Sequence, residues 1–221
     1  MQTIKTIWDG LDWSVLTDIL LYVIPALICI TLHELAHGYV ADRLGDHTAR
    51  DAGRLSLNPI RHMDWMGMLM MVIFHFGWAK PVPVNMSRFE NPKRGMAVTA
   101  LAGPMMNVLI TVVFLFLYGL LFKTLGGEGF VLQTIYLTAY LSISLAIFNL
   151  IPISPLDGSK VLFSVLPDRQ YAALMRYERY GMILMLLLVA SGVLGRPLST
   201  ACSWVFSKLF FIAEWSYGLV T

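Results

Sequence analysis

Two histidines and a glutamate, in the order His33-Glu34-Leu35-Ala36-His37, have the types and spacing that a metal-dependent hydrolase requires. Residues four apart lie on one face of a helix, so His33 and His37 can offer imidazole nitrogens to a single zinc ion. Glu34 is rotated by about 100° from His33, which lets its carboxylate take a proton from water without binding the metal. The motif therefore predicts zinc-assisted hydrolysis with Glu34 as the general base.

The apolar run from Val15 to Ile30 leads directly into this motif. Charged side chains at membrane depth are costly, so a cluster of them there indicates a functional site. The chain is 57% hydrophobic and 14% charged, whereas soluble domains are about 45–50% apolar and 25% charged. We therefore predict an integral, multi-pass membrane protein, and a net charge of only +2 gives no indication of a nucleic-acid partner.

The sequence predicts an all-α polytopic membrane protein with about five helical segments. Four of them are long and apolar enough to span a bilayer, namely residues 14–41, 96–122, 131–152 and 177–195. A fifth segment, residues 199–220, either spans the membrane or lies in its interface. We expect a single membrane-embedded domain over residues 1–221, with a core at about 14–165 and C-terminal helices at about 177–220.

The apolar stretch 66–76 is too short for a span and predicts a re-entrant element. Lysines and arginines cluster on both sides of it, in regions 42–61 and 80–94. The positive-inside rule assigns both regions to the cytoplasm, which a single crossing between them would not allow. The same rule predicts an outer N-terminus and a His33 cluster toward the cytoplasmic side.

A catalytic zinc takes three protein ligands and keeps one position open. Asp157 is the best third candidate, because its run Asn149-Leu-Ile-Pro-Ile-Ser-Pro-Leu-Asp-Gly158 closes the segment 131–152 on the side where the segment 14–41 also ends. The two prolines in the run break the helix and free backbone groups that must line protein or a cavity. An ordinary helix-ending turn is the alternative for this run taken alone.

These motifs together resemble the site-2 protease family of intramembrane zinc metalloproteases. The sequence AGPMMN at residues 102–107 is similar to the small-residue/Asn motif of the family's middle core helix. Residues 53–64 and 76–85 resemble the compact bacterial and archaeal members, which implies a prokaryotic cell membrane. No part of the sequence resembles a PDZ or CBS domain.

The resemblance implies a metalloendopeptidase that cleaves within or near a transmembrane segment, in regulated intramembrane proteolysis. It implies one zinc per chain held by His33, His37 and Asp157, with Glu34 as the base. It also implies that Asn149 and Asn107 hold or orient unwound substrate. From the residues alone, each asparagine can equally be a hydrogen-bonding contact between helices.

We further expect residues 66–85 to help bind the substrate. A substrate helix in lipid hides its amides and must unwind before it can be cleaved. An extended edge beside the site would hold the unwound chain by β-augmentation. Val82, Val84 and Asn85 are the candidates for this edge, with a plain extended loop as the alternative.

Two other classes of function fit the intramembrane His/Asp cluster. A metal-ion transporter would use it as a pathway, but transporters more often carry paired repeats with broken helices, and this sequence shows none. An inactive scaffold that binds membrane helices has no need of Glu34. The expected partners are therefore the transmembrane segment of a protein substrate and the lipid bilayer, and the sequence indicates no particular oligomeric state.

Overall fold

The computed structural model describes residues 13–67, 80–167, 169–171 and 178–220. Its principal α-helices are α1 (Trp13–Arg43), α2 (Thr48–Asp51), α3 (Pro92–Phe122), α4 (Phe130–Asn149), α5 (Asp157–Ser164), α6 (Glu178–Ala190), α7 (Gly195–Leu209) and α8 (Phe211–Gly218). Single 3-10 turns form at Pro59–Arg61 and Met86–Arg88. Within the described ranges no β-strand forms, and Met63 makes only an isolated bridge. The predicted all-α architecture is confirmed.

Three helices, α1, α3 and α4, are long and apolar enough to cross a membrane. At a rise of about 1.5 Å per residue, the 31 residues of α1 or α3 exceed the roughly 30 Å hydrocarbon core of a bilayer. Only 28–33% of the apolar window of each helix is buried inside the protein. The remaining apolar surface is therefore left for lipid, and the protein is membrane-embedded.

The three long helices pack on one another through small and polar side chains. Thr111 of α3 and Thr138 and Ser142 of α4 are completely buried. Small residues let membrane helices approach closely, and hydroxyl groups bond across the interface. α8 packs on α3 in the same manner, because a Cβ at Gly119 would overlap the Ala213 carbonyl.

The C-terminal helices are separated by a sharp bend. α6 ends at Ala190, and the chain then bends by 85° into α7 and α8. The described residues thus contain three helices able to span, or four if this bent pair is one span. The predicted count of four spans and a fifth segment stays a prediction.

The chain segments on either side of the predicted re-entrant stretch lie against each other. The Lys80 N–H donates to the His62 carbonyl at 3.0 Å, and Arg54 donates to the Lys80 carbonyl at 2.6 Å. Regions 42–61 and 80–94 therefore lie at the same end of the helices, as a re-entrant element requires. Residues 68–79 themselves, and with them most of the 66–76 prediction, lie outside the described residues.

Candidate metal centre

Three side chains from two distant parts of the chain converge at the end of α1. His33 and His37 lie one turn apart on α1, and Asp157 is the first residue of α5. Their Nε2 atoms are 3.0 Å apart, and each lies 3.2 Å from Asp157 Oδ2. Both histidines are more than nine-tenths buried. In the part of the chain that the structure describes, this is the one group of His, Cys, Asp or Glu side chains that can hold a metal ion.

The geometry of this triangle fits zinc. Tetrahedral ligand atoms at 2.0–2.1 Å from the metal lie about 3.3–3.4 Å from one another, close to the separations found here. Asp157 Oδ2 is buried and accepts no hydrogen bond of ordinary geometry. A carboxylate binds a metal in its ionised form, which leaves Asp157 Oδ2 available as the third ligand atom.

A glycine on the facing helix allows both histidine rings to approach α3 closely. A Cβ built at Gly103 of α3 would lie 2.6 Å from His33 Nε2 and still closer to His37 Nε2. A methyl group at this position would thus overlap both imidazole rings. Gly103 belongs to the AGPMMN sequence. Because glycine has no side chain, His33 and His37 can lie directly against this part of α3.

Local sequence explains how Asp157 reaches the histidines. α4 ends at Asn149, and Pro152 and Pro155 prevent it from continuing. The chain folds back so closely that a Cβ at Gly158 would overlap the Leu150 carbonyl. Asp157 then begins α5 directly beside the end of α1.

The second ring nitrogen of each histidine has a partner on α3. His37 Nδ1 lies 2.7 Å from the Thr99 carbonyl oxygen, which can only accept a hydrogen bond. His37 therefore carries its proton on Nδ1 and leaves Nε2 free for a metal. His33 Nδ1 lies 3.1 Å from the side-chain amide of Asn107. Sequence reasoning gave no sign of the Thr99 contact, because a backbone carbonyl has no residue signature.

Glu34 stands beside the triad and outside it. Its Oε2 accepts a hydrogen bond of 2.9 Å from the Val82 backbone N–H. Val82 lies between Pro81 and Pro83, which have no N–H, so it supplies the single backbone donor of that tripeptide. The Val82 side chain is buried against α1 at Gly38.

The extended segment 80–85, here called the strap, is fastened to the rest of the protein at both ends. Arg54 donates to the Lys80 carbonyl at one end, and Asp46 accepts from the Asn85 N–H at 2.6 Å at the other. Burial acts to raise the pKa of Asp46, but hydrogen bonds from Thr48 and Asn85 and the charge of Arg88 outweigh it and lower the pKa. Sequence reasoning missed Arg54 and Asp46, whose loop positions resemble ordinary surface charges.

The residues predicted to contact a substrate differ in burial and in their hydrogen-bond partners. Asn107 is completely buried behind His33. Asn149 is partly buried, and its amide donates to the Leu145 carbonyl of its own helix. Val84 is partly buried on the strap and Asn85 is exposed. Their roles toward a substrate stay predictions.

Comparison with known proteins identifies the family. The model of peptidase family M50 matches residues 123–192. The "Putative zinc metalloprotease YwhC" of Bacillus subtilis is 35% identical over 188 residues, which cover 82% of this chain and 83% of that protein. The "Putative zinc metalloprotease Rip2" of Mycolicibacterium smegmatis is 26% identical over 86% of this chain and 71% of its own length.

A third relative extends the comparison to archaea. The "Zinc metalloprotease MJ0392" of Methanocaldococcus jannaschii is 28% identical over 73% of this chain and 37% of its own length. No solved structure matches the chain. The extensive match to YwhC, the M50 model and the zinc-compatible triad agree with one another, and the chain belongs to peptidase family M50, the site-2 protease family of zinc metalloproteases.

Proposed function

We propose that this protein is an intramembrane metalloendopeptidase that hydrolyses a peptide bond within or near the transmembrane segment of a membrane protein, in regulated intramembrane proteolysis. The observation that carries the proposal is the buried triad of His33, His37 and Asp157, built on a helix long and apolar enough to span a membrane. A soluble peptidase has no reason to place its metal ligands in such a helix, since burying ionisable groups there is costly.

In the proposed site His33, His37 and Asp157 hold one zinc ion per chain. Zinc bound there would polarise the scissile carbonyl and lower the pKa of water. Glu34 accepts the proton of the attacking water as the new C–O bond forms, and returns it to the amine nitrogen as the C–N bond breaks. The Val82 N–H holds one carboxylate oxygen of Glu34 and leaves the other for this proton.

The strap is the proposed binding edge for the unwound substrate. In an extended chain the N–H of Val84 points the same way as that of Val82, which donates toward the site. A substrate strand aligned there by main-chain hydrogen bonds would lie beside Glu34, with Val84 and Asn85 as its contacts. Asn149 lies at the end of α4, where the chain turns toward Asp157, and is proposed to contact the same strand.

Cleavage of a graded substrate series tests this function. We expect purified enzyme to cut transmembrane substrates containing Gly or Pro near the scissile bond faster than a Leu-rich one, because unwinding then costs less. A chelator should abolish all cleavage, and Val84→Pro should slow it while zinc is retained. Equal rates across the series would refute the unwinding argument, and full activity with chelator would refute the metal mechanism.

The ligand set is tested by metal analysis of the folded protein. Asp157→Ala should lose its zinc, because two histidines alone make an incomplete site. An unchanged zinc content in a folded Asp157→Ala protein would remove Asp157 from the centre.

We further propose a multi-pass arrangement in a prokaryotic cell membrane, with the active site toward the cytoplasm. Supporting this, regions 42–61 and 80–94 are both rich in Lys and Arg and contact each other. Cysteines placed at Arg50 and Arg88, on a background without Cys29 and Cys202, should be labelled from the cytoplasmic side. A cysteine at Gly127 should be labelled from the other side, and any other pattern would overturn the topology.

The transporter alternative is not favoured. A pathway for metal ions has no use for a carboxylate that lies beside the ligands and is held by a backbone donor, as Glu34 is.

A further inference from the structure

In the contact between His33 and Asn107, the amide donor of Asn107 faces the histidine and the amide acceptor is left without a partner. The amide nitrogen Nδ2 of Asn107 faces His33 Nδ1 at 3.1 Å. The amide oxygen Oδ1 is buried and has no hydrogen-bond partner. A buried polar atom without a partner costs free energy, so this arrangement is unfavourable for Asn107 even before a metal is considered.

The same arrangement conflicts with the chemistry of a metal-binding histidine. When His33 offers Nε2 to a metal, its proton is on Nδ1, and Nδ1 needs an acceptor. An amide nitrogen is a donor and cannot fill this role. His37 shows the arrangement that is needed, since its Nδ1 faces the Thr99 carbonyl oxygen.

Rotating the Asn107 amide by 180° removes the conflict with the histidine. The two ends of an amide side chain have nearly the same shape, so the exchange needs no additional space. Oδ1 then accepts from His33 Nδ1–H and gains the partner it lacks.

We infer that Asn107 is a positioning residue whose amide oxygen accepts the His33 Nδ1 proton, which fixes the ring and keeps Nε2 ready for zinc. The inference rests on the proposed ligand set. It takes the place of the predicted substrate contact of Asn107, because the side chain is completely buried behind the histidine.

The backbone around Asn107 is anchored well enough to hold a ring in place. Its carbonyl accepts from Ser142 Oγ at 2.8 Å and from Thr111 Oγ1 at 2.9 Å. All three residues are completely buried, and the hydrogen bonds join α1, α3 and α4 behind the metal centre.

Two substitutions at Asn107 distinguish the effect of its amide oxygen from the effect of its side-chain volume. Asn107→Leu keeps the approximate volume and removes the acceptor, whereas Asn107→Asp keeps the acceptor and removes the donor. We expect zinc affinity, measured by competition with a chelator, to fall about 10- to 100-fold in Asn107→Leu. It should stay within about threefold of wild type in Asn107→Asp, a margin of less than 1 kcal/mol.

A second measurement uses the metal-free protein. Nitrogen-15 NMR should show His33 protonated on Nδ1 in wild type and in Asn107→Asp, and a mixture of tautomers in Asn107→Leu. The control is Thr138→Val, which removes the hydroxyl of an equally buried residue on α4 that donates to the Thr134 carbonyl of its own helix. It should leave both the zinc affinity and the tautomer unchanged, so that a general loss of packing is excluded.

The outcomes separate this inference from the proposed function. If Asn107→Leu binds zinc like wild type and keeps the Nδ1 proton, the inference is overturned. If Asn107→Asp loses as much affinity as Asn107→Leu in a folded protein, the amide oxygen is not the acceptor and the inference is likewise overturned. In either case Asp157→Ala, measured in parallel, would still lose zinc if the proposed ligand set is correct.

Discussion

Adding one methyl group at Gly103 should disable the metal centre while leaving the helices intact. The Cβ of Gly103→Ala would lie 2.6 Å from His33 Nε2, whereas ordinary contacts begin at 3.4 Å, so ring or helix must move by 3.4 − 2.6 = 0.8 Å. Metal–ligand distances tolerate only about ±0.2 Å. His37 Nε2 is closer still, so both ligands are displaced at once.

The size of the effect follows from the cost of overpacking. Forcing an extra methyl group into a well-packed site costs typically 1–3 kcal/mol, which corresponds to about 5- to 150-fold weaker zinc binding. The assay is a competition titration of metal-free protein in detergent micelles, read against a chelator of known affinity. Proteolysis should fall in parallel with zinc occupancy.

A glycine with open space around it provides the control for the Gly→Ala substitution. A Cβ at Gly195, the first residue of α7, would meet no atom within 4 Å, so Gly195→Ala should leave zinc affinity and activity unchanged. Wild-type zinc affinity in a folded Gly103→Ala protein would refute the reasoning, because the methyl group cannot be accommodated without displacing both imidazole rings.

Three further perturbations probe the base and the strap. Glu34→Gln should retain zinc and lose about 10²- to 10⁴-fold in turnover, because an amide cannot accept the proton; turnover within a few-fold of wild type would mean that another base operates. Val82→Pro removes the N–H that holds Glu34 and should lower kcat about 10- to 150-fold with zinc retained, whereas Val82→Ala keeps that donor and should lose far less. The pKa of Asp46 is lower in the folded protein than its ordinary 3.8, so its stabilising effect is complete above about pH 4 and is lost as the pH falls further. Thermal unfolding of Asp46→Asn should therefore depend less on pH in the acid range than that of wild type, and parallel curves would contradict the assignment.

Local patterns account for what the sequence predicted correctly. A run of apolar residues long enough to cross lipid becomes a helix because its backbone must bond internally there. Within such a helix the spacing of His33 and His37 sets their common face, whatever the rest of the chain does. The break after α4 follows as directly, since Pro152 and Pro155 cannot continue a helix.

In the C-terminal region, composition predicts the apolar segments but not how the helices are arranged. Apolar content defines residues 177–195 and 199–220 as candidate membrane segments, but the 85° bend between α6 and the helices after it depends on packing. A Cβ at Gly181 of α6 would overlap Ser154 in the turn before Asp157. Such close approaches arise from the tertiary arrangement and leave no periodic signal.

The sequence by itself determined the helical class and the membrane setting and named the candidate ligands and base, because each depends on residue chemistry or on spacing within one helix. Only the tertiary structure decided which groups surround the candidate ligands and base: the Thr99 carbonyl on His37, the Asn107 amide on His33, the close approach of both histidines to Gly103 and the Val82 N–H on Glu34. Each of these joins residues 48 to 74 positions apart or depends on the absence of a side chain. Backbone groups and close approaches between helices have no residue signature, so these contacts become visible only when the helices are packed.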